Sequence, residues 1–394
     1  QMFLSALEKA SGPHRISLIN ALGSRRAAAA VPALAQLAKD GDSATALAAV
    51  GALGTVGGTA ADAAVKSATG VAPAVRAAAR LVAVPGLPPE AARSALREIE
   101  AESALPAAVR LAAFRQLADR EPAASLTSLK EALQGSDWPR KEVALEAISR
   151  SPSPDRISLL AAGLTGWDIP TQVAAIGILA RASAAAAAPS VSSSARSPHR
   201  EVRDAALEAL GSLPGSPEIV ALLLEAAGGA EEAAKAARRS LARLKGPGVS
   251  ETILAAAENG ERVPRSSALE AIAARNLTEG IPLLLHARGA GEAGIRNAAL
   301  AALAEIGPYS AQDEVISWAV AATDDTERTR ALRAVVAITQ RGKDPATRAR
   351  PLFTAIENAT PETAERLLGA LPRLGGETSA ACAARVAART DAKL

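Results

Sequence analysis

The sequence predicts an all-α chain in which pairs of helices repeat along its length and stack into a solenoid. Three observations carry this prediction. About a quarter of the 394 residues are alanine, which has the highest intrinsic helix propensity. Aromatic residues, which favour strands, make up only 2% of the chain. A motif of the form R-x-A-A-L-x-A-L-G returns at a nearly constant interval, which is the signature of a repeat architecture.

The repeat is measured between the last large apolar residues of successive motifs, which we call the anchors. Most neighbouring anchors are 31 residues apart, and the other intervals are 33, 33 and 35 residues. This regularity predicts about twelve two-helix repeats over residues 1–394, none of which can bury its apolar stripe alone. The anchors are Leu22, Leu53, Val84, Leu117, Ile148, Leu179, Leu210, Leu241, Ile272, Leu303, Val336 and Leu371.

Each repeat is predicted to contain a first helix and a second helix, and the second carries the motif. In residues 197–227, Val202 and Leu210 fall on one apolar face at helical spacing. Proline and glycine in residues 213–217 then end that helix, and Ile219 opens the apolar face of the next one.

Glycine after an anchor is expected at a helix C-terminus. Proline 21 residues before an anchor is expected in the first turn of a first helix. These positions are Gly23, Gly54 and Gly211, and Pro32, Pro189 and Pro282.

Two segments depart from the regular pattern. Residues 183–198 have the composition of a linker, yet the anchor spacing across them stays at 31 residues. We interpret them as a degenerate repeat within the array, with a hinge as the alternative. Residues 377–394 resemble one more first helix without the polar capping helix that a solenoid end needs. We therefore expect the chain to continue there in a longer protein, or another chain to cover this end.

Composition and charge exclude several function classes. The net charge of +3 is too weak to imply nucleic acid or an acidic membrane surface by itself. No uncharged apolar run reaches the length of a membrane span. The single cysteine excludes intrachain disulfides and cysteine-based zinc sites. No signal peptide is visible, so a cytoplasmic location is favoured, with the periplasm as the alternative if a leader was removed. Abundant arginine and alanine indicate a GC-rich, bacterial coding sequence.

Residues 199–211 (H-R-E-V-R-D-A-A-L-E-A-L-G) and 294–307 (G-I-R-N-A-A-L-A-A-L-A-E-I-G) resemble HEAT repeats, most closely the short HEAT-like repeats of phycobilisome lyases. The resemblance extends over essentially the whole chain. It implies a right-handed α–α superhelix of the armadillo-like kind, whose concave side, lined by second helices, holds a protein partner. The sequence departs from the family at the acidic position before the V-R pair, where it has Ser197 or His199 in one repeat and Pro106 in another. A regular inter-repeat ladder is therefore not expected.

Some HEAT-like proteins are enzymes, and some bind metals through His-Glu pairs. His14, His199 and His286 lie in different repeats without a second ligand nearby, which predicts no metal site. Cys382 stands among alanines and is predicted to be a buried structural thiol. No phosphate-binding loop motif occurs in the sequence. We therefore predict a protein that is not an enzyme and that needs no cofactor.

Basic residues and tryptophans are the candidate partner-binding residues. A basic residue stands seven positions before several anchors, which predicts a stripe for an acidic partner or a phosphate backbone. The alternative is local pairing of Lys141, Arg265 and Arg296 with acids four residues earlier. Trp138 and Trp167 precede neighbouring second helices and could form one binding patch, or each could hold its own turn in place. Trp318 is predicted to be core. The candidates are Trp138, Trp167, Arg110, Lys141, Arg203, Arg265 and Arg296, and Arg15 occupies the same basic position.

Three functions follow from these features. The first is a non-catalytic scaffold that binds a protein partner or a fused domain along the solenoid face. The second is binding of nucleic acid or another polyanion through the basic residues. The third is a HEAT-like lyase or a chaperone for a small planar ligand. The sequence does not determine the identity of the partner or the oligomeric state.

Overall fold

The computed structural model describes residues 2–121, 124–229, 231–344, 347–374 and 376–391. It divides into two compact units, Gln1–Thr171 and Gln172–Leu394. Both units consist of helices and connecting turns, and none of the described residues belongs to a strand apart from an isolated bridge between Pro214 and Lys245. The all-α prediction is therefore confirmed.

The N-terminal unit contains five complete pairs of first and second helices. The pairs are α1 (Met2–Lys9) with α2 (Gly12–Ser24), α3 (Val31–Asp40) with α4 (Ser43–Val56), α5 (Thr59–Ser67) with α6 (Pro73–Ala83), α7 (Pro89–Ala101) with α8 (Ala107–Arg120), and α9 (Leu126–Gln134) with α10 (Trp138–Arg150). Helix α11 (Pro154–Gly163) follows, and α12 (Ile169–Arg181) contains the division between the units.

The C-terminal unit continues with the same alternation. Its helices are α13 (Ala188–Ser194), α14 (Arg200–Leu210), α15 (Pro217–Ala227), α16 (Glu231–Arg243), α17 (Val249–Asn259), α18 (Arg262–Ala274), α19 (Ile281–His286), α20 (Ala293–Ile306), α21 (Gln312–Ala321), α22 (Asp325–Gln340), α23 (Arg350–Asn358), α24 (Pro361–Leu368), α25 (Leu371–Leu374) and α26 (Gly376–Asp391). Within the described residues, no helix is both long and apolar enough to cross a bilayer.

The anchors form the core where successive second helices meet. All of them are buried except Leu117, which is partly buried. Leu53 and Ile148 are typical, with no exposed surface. The stripe read from the sequence is therefore the inward side of each second helix, and neighbouring helices complete its burial.

Glycine after an anchor lies in the last turn of a second helix or just after it, and it also permits close packing. Gly23 and Gly54 lie inside α2 and α4 rather than beyond their ends. A Cβ on Gly23 would come within 2.9 Å of Ala52, and one on Gly54 within 2.7 Å of the carbonyl oxygen of Ala79. These glycines let the next second helix approach closely. Gly211 follows the last residue of α14 as its C-cap, as predicted.

Helix starts follow the sequence signals. Pro32, Pro189 and Pro282 are each the second residue of a first helix, where the missing N–H costs little. Asp42 caps α4 by accepting hydrogen bonds from the backbone N–H groups of Ala44 and Thr45, at 3.0 and 2.9 Å.

Two predicted segments have defined local structure. Residues 183–198 contain a single 3-10 turn and the seven-residue helix α13. Helix α26 covers Gly376–Asp391, and residues 392–394 lie outside the described residues. One solenoid over residues 1–394, the degenerate repeat or hinge, and the uncapped end all stay predictions.

Candidate partner-binding surface

Most of the predicted basic stripe caps helices. Arg203, Arg265 and Arg296 are each the fourth residue of a second helix. Their guanidinium groups donate hydrogen bonds to carbonyl oxygens in the last turn of the preceding first helix or in the segment that follows it. The nitrogen–oxygen distances are 3.0 Å to Ser197, 3.0 Å to Ala257 and 2.8 Å to Ala290. These guanidinium groups satisfy carbonyls that a helix end leaves without partners.

Two of the basic residues also connect successive repeats. Lys141 is 4% exposed and forms an ion pair with Asp168, while Arg296 pairs with Glu327 at 2.9 Å. The local partners that the sequence favoured are four residues earlier, but these side chains turn toward the next second helix instead. Inter-repeat pairing therefore occurs at these two junctions although the acidic motif position of the family is missing.

Asp168 is the most strongly perturbed acid of this set. Burial alone would raise the pKa of its carboxyl, but hydrogen bonds from Lys141 and Thr171 outweigh that effect and lower the pKa to about 2. Its Oδ1 also accepts the backbone N–H of Thr171 at 3.0 Å, near the start of α12. Asp168 therefore links two repeats and stabilises a helix start at once.

Glu327 holds the equivalent junction in the C-terminal unit. Its carboxylate accepts hydrogen bonds from Arg296 and from the indole Nε1 of Trp318, at 2.9 and 2.7 Å. Burial acts to raise the pKa of Glu327, and the two donors lower it below the usual value. Trp318 is fully enclosed, as the sequence predicted.

The remaining candidate residues differ in how far their side chains are buried. Arg110 is half-buried, and its Nε has no hydrogen-bond partner among the described residues. Trp138 exposes 44% of its surface at the start of α10, whereas Trp167 exposes 8% and its indole covers Gly163. A shared patch of two exposed indoles is therefore wrong, because Trp167 fills space in its own repeat. Partner binding by the candidate residues otherwise stays a prediction.

An exposed apolar face lies on α4 and α6, and the sequence analysis missed it. Leu47 exposes 51% and Val82 exposes 60% of their surface, the largest fractions among the large apolar side chains of the described residues. Gly51 and Ala78 are also exposed and lie four residues from Leu47 and Val82 along their helices. We call Leu47, Gly51, Ala78 and Val82 the α4–α6 face.

The position of Val82 carries charge in several later second helices. Val82 stands two residues before its anchor, where Arg115 and Glu146 stand in the next two repeats and form an ion pair at 2.9 Å. In the C-terminal unit the same positions hold Glu208 and Arg239, also paired at 2.9 Å. An apolar Val82 at a position that carries charge in these repeats was the signal available in the sequence.

Groups suited to catalysis are sparse in the described part of the chain. No group of three or more His, Cys, Asp or Glu side chains there could hold a metal ion. Cys382 is buried in α26, and burial raises the pKa of its thiol, which keeps the sulfur protonated near neutral pH.

The sequence matches a family model for HEAT repeats over residues 1–84 and 157–242. No curated protein matches the sequence. Among solved structures, a mutant of Kap121p is 13% identical, with 95% of this chain and 48% of that chain covered and a TM-score of 0.51. Kap95p, described with RanGDP, is 14% identical, with 98% and 62% covered and a TM-score of 0.46.

The complex of CpcE and CpcF of phycocyanin lyase from Nostoc sp. PCC7120 is also similar. It is 16% identical, with 61% of this chain and 94% of that chain covered and a TM-score of 0.29. The chain spans less than two thirds of the length of Kap95p and of Kap121p. At these identities the likeness concerns the fold alone.

Proposed function

We propose that the chain, which matches a HEAT-repeat family model over residues 1–84 and 157–242, is a non-catalytic scaffold that binds a protein partner or a fused domain through its second helices. The observation that supports the proposal is the α4–α6 face. Leu47 and Val82 are each more than half exposed, and Val82 stands at a position where the next two repeats place an ion pair. Exposed apolar side chains gathered on neighbouring helices are typical of protein-binding surfaces.

Charged side chains beside the α4–α6 face form a polar rim. Arg115, Glu146 and Arg150 continue along the next two second helices, and Arg150 also pairs with Asp119 at 2.6 Å. An apolar centre with a charged border is the usual anatomy of an interface between proteins.

The basic residues support this function more than nucleic-acid binding. Lys141 and Arg296 form ion pairs with acidic side chains, and Arg203 and Arg265 donate hydrogen bonds to backbone carbonyl oxygens. A phosphate backbone would have to displace these contacts. Fluorescence anisotropy with single- and double-stranded oligonucleotides at about 50 and 200 mM salt tests the alternative, because binding to phosphates falls steeply with salt.

Affinity purification with matched variants tests the scaffold. The full chain is tagged as wild type, as the pair Leu47→Glu and Val82→Glu, and as the control pair Ala60→Glu and Ala63→Glu on exposed positions of α5. We expect one stoichiometric protein with the wild type and the control, and its loss from the Leu47 and Val82 variant. Equal recovery by all three chains, or turnover of a substrate by the purified chain, would contradict the proposal.

A further inference from the structure

We propose that a cluster of ion pairs joining α5, α6 and α7 is a salt-sensitive bending point within the N-terminal unit. The proposal goes beyond the scaffold function and does not depend on it. The cluster consists of Asp62, Lys66, Arg80 and Glu98, and we call it the ionic clasp. It lies where first helices of successive repeats are held together by charges instead of apolar packing.

The apolar core is interrupted at this place. Earlier in the unit, α3 and α5 bury Leu34, Ala38, Ala61 and Val65 completely within one apolar cluster. A separate cluster begins beyond α5 and includes Ile99 of α7. The two clusters are joined along α6, which contributes buried alanines to both of them. Helix α6 is therefore the natural axis about which the two sides turn.

A cleft opens between α5 and α7 on the side away from the α4–α6 face. Its volume is about 620 Å³. Charged side chains of α5, α6 and α7, among them Lys66, Arg80 and Glu98, line it together with apolar ones such as Ile99 and Leu105. A gap of this size leaves α5 and α7 room to approach or separate. Leu34 and Val65 belong to one apolar cluster in the preceding repeat, whereas Lys66 of α5 and Glu98 of α7 meet as an ion pair.

Arg80 is the centre of the clasp. Its guanidinium forms two hydrogen bonds with Asp62, at 2.8 and 3.2 Å, and one with Glu98 at 3.1 Å. Arg80 therefore connects the helix before the cleft with the helix after it. A buried ion pair contributes little net stability compared with apolar packing, and a role in selecting one of two arrangements is its best-supported use.

The mouth of the clasp is the part that salt weakens. Lys66 Nζ lies 3.0 Å from Glu98 Oε2, and both side chains are largely exposed, unlike those of Arg80 and Asp62. At about 1 M salt the Debye length falls to roughly 3 Å, so the exposed pair is screened while the buried pair persists. Glu98 then loses one of its two basic partners, so the direct ion pair between α5 and α7 is weakened while Arg80 still bridges the two helices.

Distance measurements between spin labels on α5 and α7 test the proposal. Labels are placed at the exposed positions Ala63→Cys and Ser94→Cys in the full chain carrying Cys382→Ala. Electron–electron double resonance is recorded from about 0.02 to about 1 M NaCl. We expect the α5–α7 distances to lengthen and broaden with salt. Labels at Lys39→Cys and Ala63→Cys, across the apolar contact of α3 with α5, should show no change.

Two charge variants complete the test. Glu98→Gln should give the high-salt distances already at low salt, whereas Glu90→Gln, which removes an exposed acid elsewhere on α7, should behave as the wild type. Distances that do not respond to salt, or that respond equally in both label pairs, would overturn the proposal. If Glu98→Gln does not fold, the salt titration of the labelled wild type decides alone.

Discussion

The guanidinium of Arg275 donates a hydrogen bond from Nη1 to the carbonyl oxygen of Leu241, 34 residues earlier, at 2.7 Å. The same nitrogen lies 2.8 Å from the carbonyl oxygen of Leu244. Arg275 thus stands at the end of one second helix and caps the end of the preceding one. Arg341 makes the same contact with Gly307, at 2.8 Å. The preference for arginine over lysine in this chain has a structural cause, because a planar group with several donors can satisfy neighbouring carbonyls together.

Replacing Arg275 should therefore destabilise the C-terminal unit. We expect Arg275→Ala to lower the free energy of unfolding by about 1–3 kcal/mol, because buried carbonyl groups lose their donor. Arg275→Lys should recover only part of the loss, since an ammonium group cannot reproduce the planar fork. Urea denaturation followed by circular dichroism measures the difference. Arg262→Ala, at an exposed position of the same helix, should change stability little.

Two glycines of α4 should respond in opposite ways to the same substitution. Gly54→Ala places a Cβ against the backbone of Ala79, so we expect a loss of about 1–3 kcal/mol from overpacking. Gly51 is exposed with nothing within 4 Å of an added Cβ, so Gly51→Ala should gain about 0.5–1 kcal/mol from helix propensity. Thermal or urea unfolding of the two variants shows whether each substitution raises or lowers the stability. A loss of stability at both positions would mean that close helix approach is not the reason for glycine.

The contribution of Asp168 should depend on pH. Because its pKa is lowered to about 2 in the folded chain, the stabilisation is complete above the usual value of 3.8 and disappears as pH falls through about 2. Asp168→Asn should cost about 1 kcal/mol near pH 7, a modest figure because the side chain is half-exposed. Urea midpoints of the two proteins should converge on acidification. Asp155→Asn, at an exposed position, serves as the control. A difference in urea midpoint between wild type and Asp168→Asn that stays constant with pH would contradict the stabilising role of the Asp168 carboxylate.

The sequence predicted the repeat well because the apolar period is local. Anchors such as Leu53 and Ile148 lie where the interval of 31 residues placed them, since each repeat buries the same face against its neighbours. The partners of charged side chains were harder to predict. Lys141 could pair along its own helix or with the next repeat, and the choice depends on how far adjacent second helices are offset. The sequence of one repeat does not determine how far adjacent second helices are offset from each other.

The candidate surface was missed for a related reason. Leu47 and Val82 look like ordinary core residues in an alanine-rich helix, and an apolar residue alone does not reveal which way it faces. Comparison of equivalent positions would have singled out Val82, because Arg115, Glu146 and Glu208 occupy its position in other repeats. Trp167, conversely, looked accessible because it precedes a helix, but it fills the space over Gly163.

Exposed apolar residues kept for a partner should contribute little to the fold. Leu47→Glu and Val82→Glu, alone or together, should change the free energy of unfolding by no more than about 0.5 kcal/mol per site. Differential scanning calorimetry measures this, with Leu53→Ala as the core comparison, for which we expect a loss of about 2–5 kcal/mol. A large loss at Leu47 or Val82 would show that these side chains support the unit itself.

Position-specific photo-crosslinking tests the scaffold most directly. A photoreactive amino acid is placed at Leu47, at Val82, and at the exposed α5 position Ala60, and the full chain is irradiated in its native cell extract. We predict that Leu47 and Val82 capture the same protein in stoichiometric yield and that Ala60 does not. Different proteins at Leu47 and Val82, or the same capture at Ala60, would contradict the assignment of the α4–α6 face as the binding surface.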